Sequence, residues 1–121
     1  MIRRLLIVAV LLAWPTFAGA AEAMRGVALV IGQSKYEGLP ALTNPSKDAR
    51  DIDRLLGDLG FEVDRVLNAD GEELREAIAR FEDEAKGADV ALIYYSGHGI
   101  EAKGANYIAP IDTDLSSPES A

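Results

Sequence analysis

From Arg25 onward, three mainly apolar stretches alternate with two amphipathic ones. Val27 to Ile31 is aliphatic throughout and stops at Gly32, while Val90 to Tyr95 runs six apolar or aromatic residues without a polar interruption. Both patterns predict strands covered on two faces, as in a parallel sheet. Phe61 to Leu67 differs, because Phe61 and Val63 alternate with Glu62 and Asp64; it reads as a strand with one wetter side, near a sheet edge. Between these strands, Ala49, Ile52, Leu55, Leu56 and Leu59 recur at helical spacing, as do Leu74, Ala77, Ile78, Phe81 and Ala85. The first helix opens with Asn44 as N-cap and Pro45 at the first helical position, and ends at Gly60. The second opens with a capping box from Asp70 to Glu73 and ends at Lys86 and Gly87. Gln33 to Thr43 is a loop. After the third strand, Glu101 to Asn106 is polar with Gly104 as its turn, so Tyr107 and Ile108 can pair back as a hairpin. From Asp112 the pattern is loop-like.

Strand, helix, strand, helix, strand, with connections long enough for right-handed crossovers, predicts an α/β fold with a mainly parallel sheet. Two fully covered runs and one half-covered run imply the local strand order 2-1-3. The carboxyl ends of the first and third strands then flank a topological switch point, and the loop after Ile31 should face the turn after Tyr95. That turn reads Ser96-Gly97-His98-Gly99 and carries the chain's only histidine. With nothing beside it, the apolar third strand would present an unpaired edge, so the natural domain is expected to continue past Ala121.

Residues 1–20 stand apart from this scheme. Arg3 and Arg4 precede the apolar run Leu5 to Ala13, and Ala18-Gly19-Ala20 supplies a small-residue cleavage site, the features of a secretory signal. The run is shorter than the ~20 residues that span a bilayer. Residues 1–20 are therefore expected to be a signal peptide and 21–121 the folded domain. The protein is expected to be exported, periplasmic or extracellular, and tied to a membrane only if the signal stays uncleaved. Without Arg3 and Arg4, 10 basic residues face 20 acidic ones, a formal charge of -10. Such a surface repels phosphate backbones and argues against nucleic acid as a partner. The absence of cysteine excludes disulfides and thiolate metal sites, and one histidine without a ligand cluster speaks against zinc. The residues call for no cofactor.

An imidazole at an exposed strand end suits a general base, since its ordinary pKa of ~6.5 lets it take a proton near neutral pH. The same histidine could also simply fill a turn position. A Gly99 amide beside that base could approach a carbonyl oxygen and stabilise an oxyanion, or serve turn geometry alone. Asp48 lies one turn into the first helix, near the switch point. The positive helix end favours a carboxylate there, whether or not it also holds a basic side chain.

Taken together, VALVIG, N-P-S-K-D-A-R-D-I, LGFEV, ALIYYSGHG and NYIAPID resemble, in that order and spacing, the amino-terminal, p20-type half of a caspase-like domain. The likeness is to the peptidase clan of caspases, metacaspases and their bacterial relatives, over about Arg25 to Asp114. It implies a three-layer α/β domain with a flavodoxin-like start, and a cysteine-type endopeptidase using a His-Cys dyad on peptide or protein substrates. On this likeness His98 is the catalytic histidine, Gly99 the oxyanion glycine, and Asp48 the closest match to an acidic residue that binds Arg or Lys before the scissile bond. Here Asn44 and Asp48 are separated by three residues, whereas many metacaspases have Asn directly before Asp. Some metacaspases are activated by calcium, but no calcium loop is visible in this sequence. The family's cysteine lies on a later strand, some tens of residues beyond the histidine, so this chain by itself is expected to be inactive. Two other readings fit the pattern: a catalytically dead caspase-like interaction module, and a flavodoxin-like binder of a small phosphorylated ligand. Against the latter, Gly32-Gln33-Ser34 is a poor phosphate cradle.

Overall fold

The computed structural model describes residues 21–116, and the signal peptide expected at residues 1–20 lies outside them. The described elements are β1 (Gly26–Gly32), α1 (Pro45–Asp58), β2 (Phe61–Leu67), α2 (Gly71–Ala85), β3 (Val90–Ser96), β4 (Gly99–Ala102) and β5 (Ala105–Ile108). β2, β1 and β3 form a parallel sheet in the order β2-β1-β3, and β4 pairs with β5 as an antiparallel hairpin. The register aligns Gly32 of β1 with Leu67 of β2 and Ser96 of β3, so all three strands finish level. The α/β class, the order 2-1-3 and the hairpin agree with the sequence pattern.

The period-two geometry of β1 divides the core into two layers. Val27, Leu29 and Ile31 pack with Leu74, Ala77 and Phe81 of α2, while Ala28 and Val30 pack with Ala49 and Leu56 of α1. Every residue of β1 is buried as a result. Adjacent residues of β3 separate in the same way: Tyr95 joins the α2 layer and Tyr94 the α1 layer.

Three expectations need correction. β3 is not covered on both faces: Leu92 and Ile93, successive residues that point to opposite faces, are 36% and 54% exposed, and no strand among the described residues pairs with its outer edge. Leu55 and Leu59 of α1 lie in the predicted apolar stripe, yet they are 54% and 66% exposed. The sheet reaches only Ala49, Ile52 and Leu56. Asn44 does not cap α1 with its side chain; its backbone is already helical, at φ -95 and ψ -30. The hydroxyl of Ser34, on the loop after β1, accepts the Ser46 amide at 3.0 Å instead.

The start of α2 is built as its sequence implies. Asp70 accepts the Glu73 amide at 2.9 Å and the Glu73 carboxylate accepts the Asp70 amide at 3.0 Å, closing a capping box. Lys103 and Gly104 both take positive φ, 52 and 78, in the two-residue β4–β5 turn, the backbone that such a tight hairpin requires. Among the described residues no helix is long and apolar enough to cross a membrane.

Candidate active site

The carboxyl end of the sheet is assembled by side chains that grip backbone in neighbouring loops. Gln33, fully buried just past β1, donates to the Ala69 carbonyl at 2.7 Å and accepts the Ala69 amide at 2.8 Å. Asn68 stands in the left-handed region at φ 52 and accepts the amides of Ser34 and Lys35 at 2.9 and 3.0 Å. The Ile111 amide donates to Ala69 O at 3.0 Å, and the Glu37 amide donates to Ile111 O at 2.9 Å. The loops after β1, β2 and β5 are thereby tied into one rim. A buried polar side chain that satisfies two backbone groups at once contributes more order than an exposed one, because its partners have no water to fall back on.

His98 sits on this rim, half-buried, in the turn between β3 and β4. Its Nε2 lies 2.8 Å from the carbonyl oxygen of Pro40, in the loop after β1. A carbonyl only accepts, so Nε2 carries the proton and Nδ1 of the neutral ring keeps its lone pair. The imidazole is also packed against Tyr36, with ring centroids 4.7 Å apart and planes inclined at 57°. The loop after β1 and the histidine turn therefore meet across the switch point, as the strand order implied. The ring is less exposed than the sequence suggested, because Tyr36 covers one side of it.

Gly99 follows at an exposed position, where an added Cβ would come no closer than 3.9 Å to anything, the Tyr107 carbonyl. Ala109 donates its amide to His98 O at 3.1 Å. Hydrogen-bonded and non-hydrogen-bonded pairs alternate along an antiparallel ladder, so the next pair, Gly99 with Ile108, falls in the non-bonded class. The Gly99 N–H therefore points away from β5 and is available to another acceptor. Asp48 occupies the first turn of α1 and is half-buried, with its own amide donating to Asn44 O at 2.9 Å. Among the described residues no salt bridge involves it, whereas its neighbour Lys47 pairs with Asp51 at 2.6 Å. A Cβ on Gly32 would lie 2.6 Å from Pro45 O and 2.7 Å from the Ala49 Cβ, so the opening turn of α1 presses on the end of β1. His98 and Gly99 are thus adjacent, and Asp48 shares their end of the sheet from a different element, without a hydrogen bond to either.

Three further residues escaped the reading of the sequence. Pro40 acts through its carbonyl, and a backbone acceptor has no side-chain signature. Tyr36 lies in a stretch without periodicity, and Tyr95 closes the apolar run Val90 to Tyr95, where nothing local marks its hydroxyl. Burial, and then the neighbouring Tyr36 hydroxyl, push the Tyr95 phenol well above its ordinary value, so it stays protonated and able to donate. A hollow of about 400 Å³ lies between the hairpin and the start of α2, lined in part by Arg75, Ile100, Tyr107 and Pro110. It includes none of His98, Gly99 or Asp48. Among the described residues no three His, Cys, Asp or Glu side chains gather into a metal-binding group.

A parallel 2-1-3 sheet with helices on both faces, a hairpin after β3 and an oriented histidine at the sheet's carboxyl rim together define a caspase-like domain. Comparison with known proteins places the chain accordingly. The family model described as "Caspase domain" matches residues 25–118. The chain is 35% identical over 86 residues to the human mucosa-associated lymphoid tissue lymphoma translocation protein 1, and 34% identical over 86 residues to the homologue from Mus musculus. Each alignment covers 71% of this chain and 10% of the relative, so the chain spans about a tenth of the length of the curated relatives it matches. The chain belongs to the caspase-domain family of cysteine peptidases.

Proposed function

We propose that this chain supplies the histidine-bearing half of an exported, caspase-like cysteine endopeptidase. In this reading His98 Nδ1 takes the proton of a cysteine thiol, and the thiolate attacks the carbonyl carbon of the scissile peptide bond. The Gly99 amide donates to the oxygen that becomes negative in the tetrahedral intermediate. As the carbon–nitrogen bond breaks, the imidazolium returns its proton to the leaving amine, and water then hydrolyses the thioester. Asp48, carrying no salt bridge among the described residues, would receive an Arg or Lys side chain ahead of the scissile bond. The nucleophile itself must come from outside this sequence, which contains no cysteine. The open edge of β3, with Leu92 and Ile93 uncovered, suits a further parallel strand that ends beside His98. Residues 1–20 support export by their charge, apolar run and small-residue end.

The observation that carries this reading is the 2.8 Å contact from His98 Nε2 to Pro40 O, since it leaves the opposite ring nitrogen free to act as a base. The test is cleavage of Arg- and Lys-containing peptides by the full-length natural protein. His98→Ala should abolish turnover, and Asp48→Asn should raise KM for basic peptides far more than it lowers kcat. Turnover that survives His98→Ala would refute the assignment. The lack of cysteine also favours a second reading, a non-catalytic interaction module. In that case the full-length protein would cleave nothing, and partner binding would survive alteration of His98.

A further inference from the structure

We propose that Tyr36 and Tyr95 act as positioning residues, their two hydroxyls closing a ring of hydrogen bonds around the backbone of His98 that fixes how the imidazole is presented. The inference rests on His98 being the base of the site described above, and it adds the device that holds it.

Donor counting gives the ring its direction. A tyrosine hydroxyl has one proton to donate and can accept twice. The His98 amide donates to the Tyr36 oxygen at 2.8 Å. Tyr95 lies 2.6 Å from the His98 carbonyl, which can only accept, so the Tyr95 proton points there; its alternative acceptor, Ala109 O, is more distant at 3.3 Å. The contact between the two hydroxyls, 3.2 Å, must then be donated by Tyr36. The circuit runs from His98 N–H to Tyr36, from Tyr36 to Tyr95, and from Tyr95 back to His98 C=O. Hydrogen bonds arranged head to tail in this way polarise and strengthen one another.

Position in the hairpin shows what the circuit replaces. His98 and Ala109 stand opposite each other, and Ala109 N donates to His98 O at 3.1 Å. A regular ladder would return the His98 N–H to Ala109 O. Tyr36 intercepts that N–H instead, while the aromatic ring of the same residue packs on the imidazole at 4.7 Å. One side chain therefore sets both the backbone and the ring of His98. Tyr95 Oη meanwhile accepts the Ala109 amide at 3.3 Å, tying the exit of β5 to the same point.

Gly97 gives independent support. A Cβ there would lie 2.5 Å from the Tyr95 oxygen and 2.6 Å from the Tyr36 oxygen, closer than real contacts allow. Neither Gly97 nor Gly99 is among the residues with positive φ. Gly97 is thus required by the space the two hydroxyls occupy and not by its backbone angles.

The test is imidazole and amide NMR, helped by the presence of a single histidine in the chain. In the unaltered protein, long-range ¹⁵N–¹H spectra should show the neutral ring locked with its proton on Nε2, and a His98 amide slow to exchange. Tyr36→Phe and Tyr95→Phe keep the rings and delete the hydroxyls. Each should speed His98 amide exchange about 10-fold or more and let the two ring tautomers average. Gly97→Ala, which drives a methyl between the hydroxyls, should reproduce the effect. In the full-length peptidase, the same phenylalanine variants should lower kcat about 10-fold or more with KM nearly unchanged. If one phenylalanine variant fails to fold, exchange at His98 in the other decides. An unchanged tautomer and unchanged amide exchange in a folded hydroxyl-deleted variant would overturn the proposal. If the tautomer moves while the unaltered full-length protein cleaves no peptide, the clamp stands and the peptidase reading falls.

Discussion

β1 and β3 are written in nearly the same apolar alphabet, GVALVIG and VALIYYS, and lie side by side in register, yet they live in different surroundings. β1 has a strand on either side and a helix on either face, and all seven of its residues are buried. β3 has one strand neighbour among the described residues, and its middle residues are exposed. The difference teaches that an apolar run records the cover a strand is suited to, while the cover observed depends on which neighbours are present. β1 is the mechanical centre of the domain. β3 instead leads into the site proposed above, because the Tyr95 hydroxyl and the His98 turn lie at its end.

Substitutions can break or sharpen this contrast. Leu29→Ala, at the fully buried centre of β1, should lower unfolding free energy by about 2–5 kcal/mol in urea denaturation. Its β3 partner in the register, Ile93, should lose under about 1 kcal/mol when replaced by Ala in the same assay, because roughly half of it already faces water. Equal losses at the two positions would erase the distinction. Gly32→Ala should cost about 1–3 kcal/mol by forcing the start of α1 away from the end of β1, read as a lower midpoint at unchanged m.

A smaller effect separates the strand ends by pH. The Tyr95 phenol is raised in the folded protein above its ordinary value of 10.0. The unfolded chain therefore releases this proton first, and the stabilisation, fully present below pH 10, should decline as pH rises beyond that. Thermal melts from pH 8 to 11 should show the decline, and Tyr95→Phe should flatten it. Least of all should come from Lys47→Ala on the exposed face of α1, whose pairing with Asp51 raises the lysine and lowers the aspartate but is open to solvent. Its melting temperature should match the unaltered protein within scatter.

Legibility in the sequence followed the range of the interactions involved. The capping box at Asp70 and Glu73 is local, so its residues announce it. The start of α1 is capped by Ser34 from 12 residues upstream, and nothing in the Asn44-Pro45 spelling could reveal that. Asp70→Ala should accordingly cost about 1 kcal/mol of stability and Asn44→Ala only a few tenths, measured side by side. His98 and Gly99 were legible as candidates because glycines, a histidine and the end of an apolar run coincide in one short segment. Tyr36 and Pro40 were not, because their roles exist only once the loop after β1 folds back onto the histidine turn, 58 residues from Pro40. Leu55 and Leu59 failed for the opposite reason: helical periodicity marks a face, but the sheet beneath α1 is too narrow to cover all of it.

The central claim is that the uncovered edge of β3 receives the strand bearing the nucleophile beside His98. A crystal structure of the full-length natural protein tests it most directly. The account predicts a parallel strand paired with the outer edge of β3, ending in a cysteine whose Sγ lies about 3–4 Å from His98 Nδ1, with Nε2 still on Pro40 O. A strand in that place ending in another residue, or a histidine ring turned so that Nδ1 meets the Pro40 carbonyl, would contradict it.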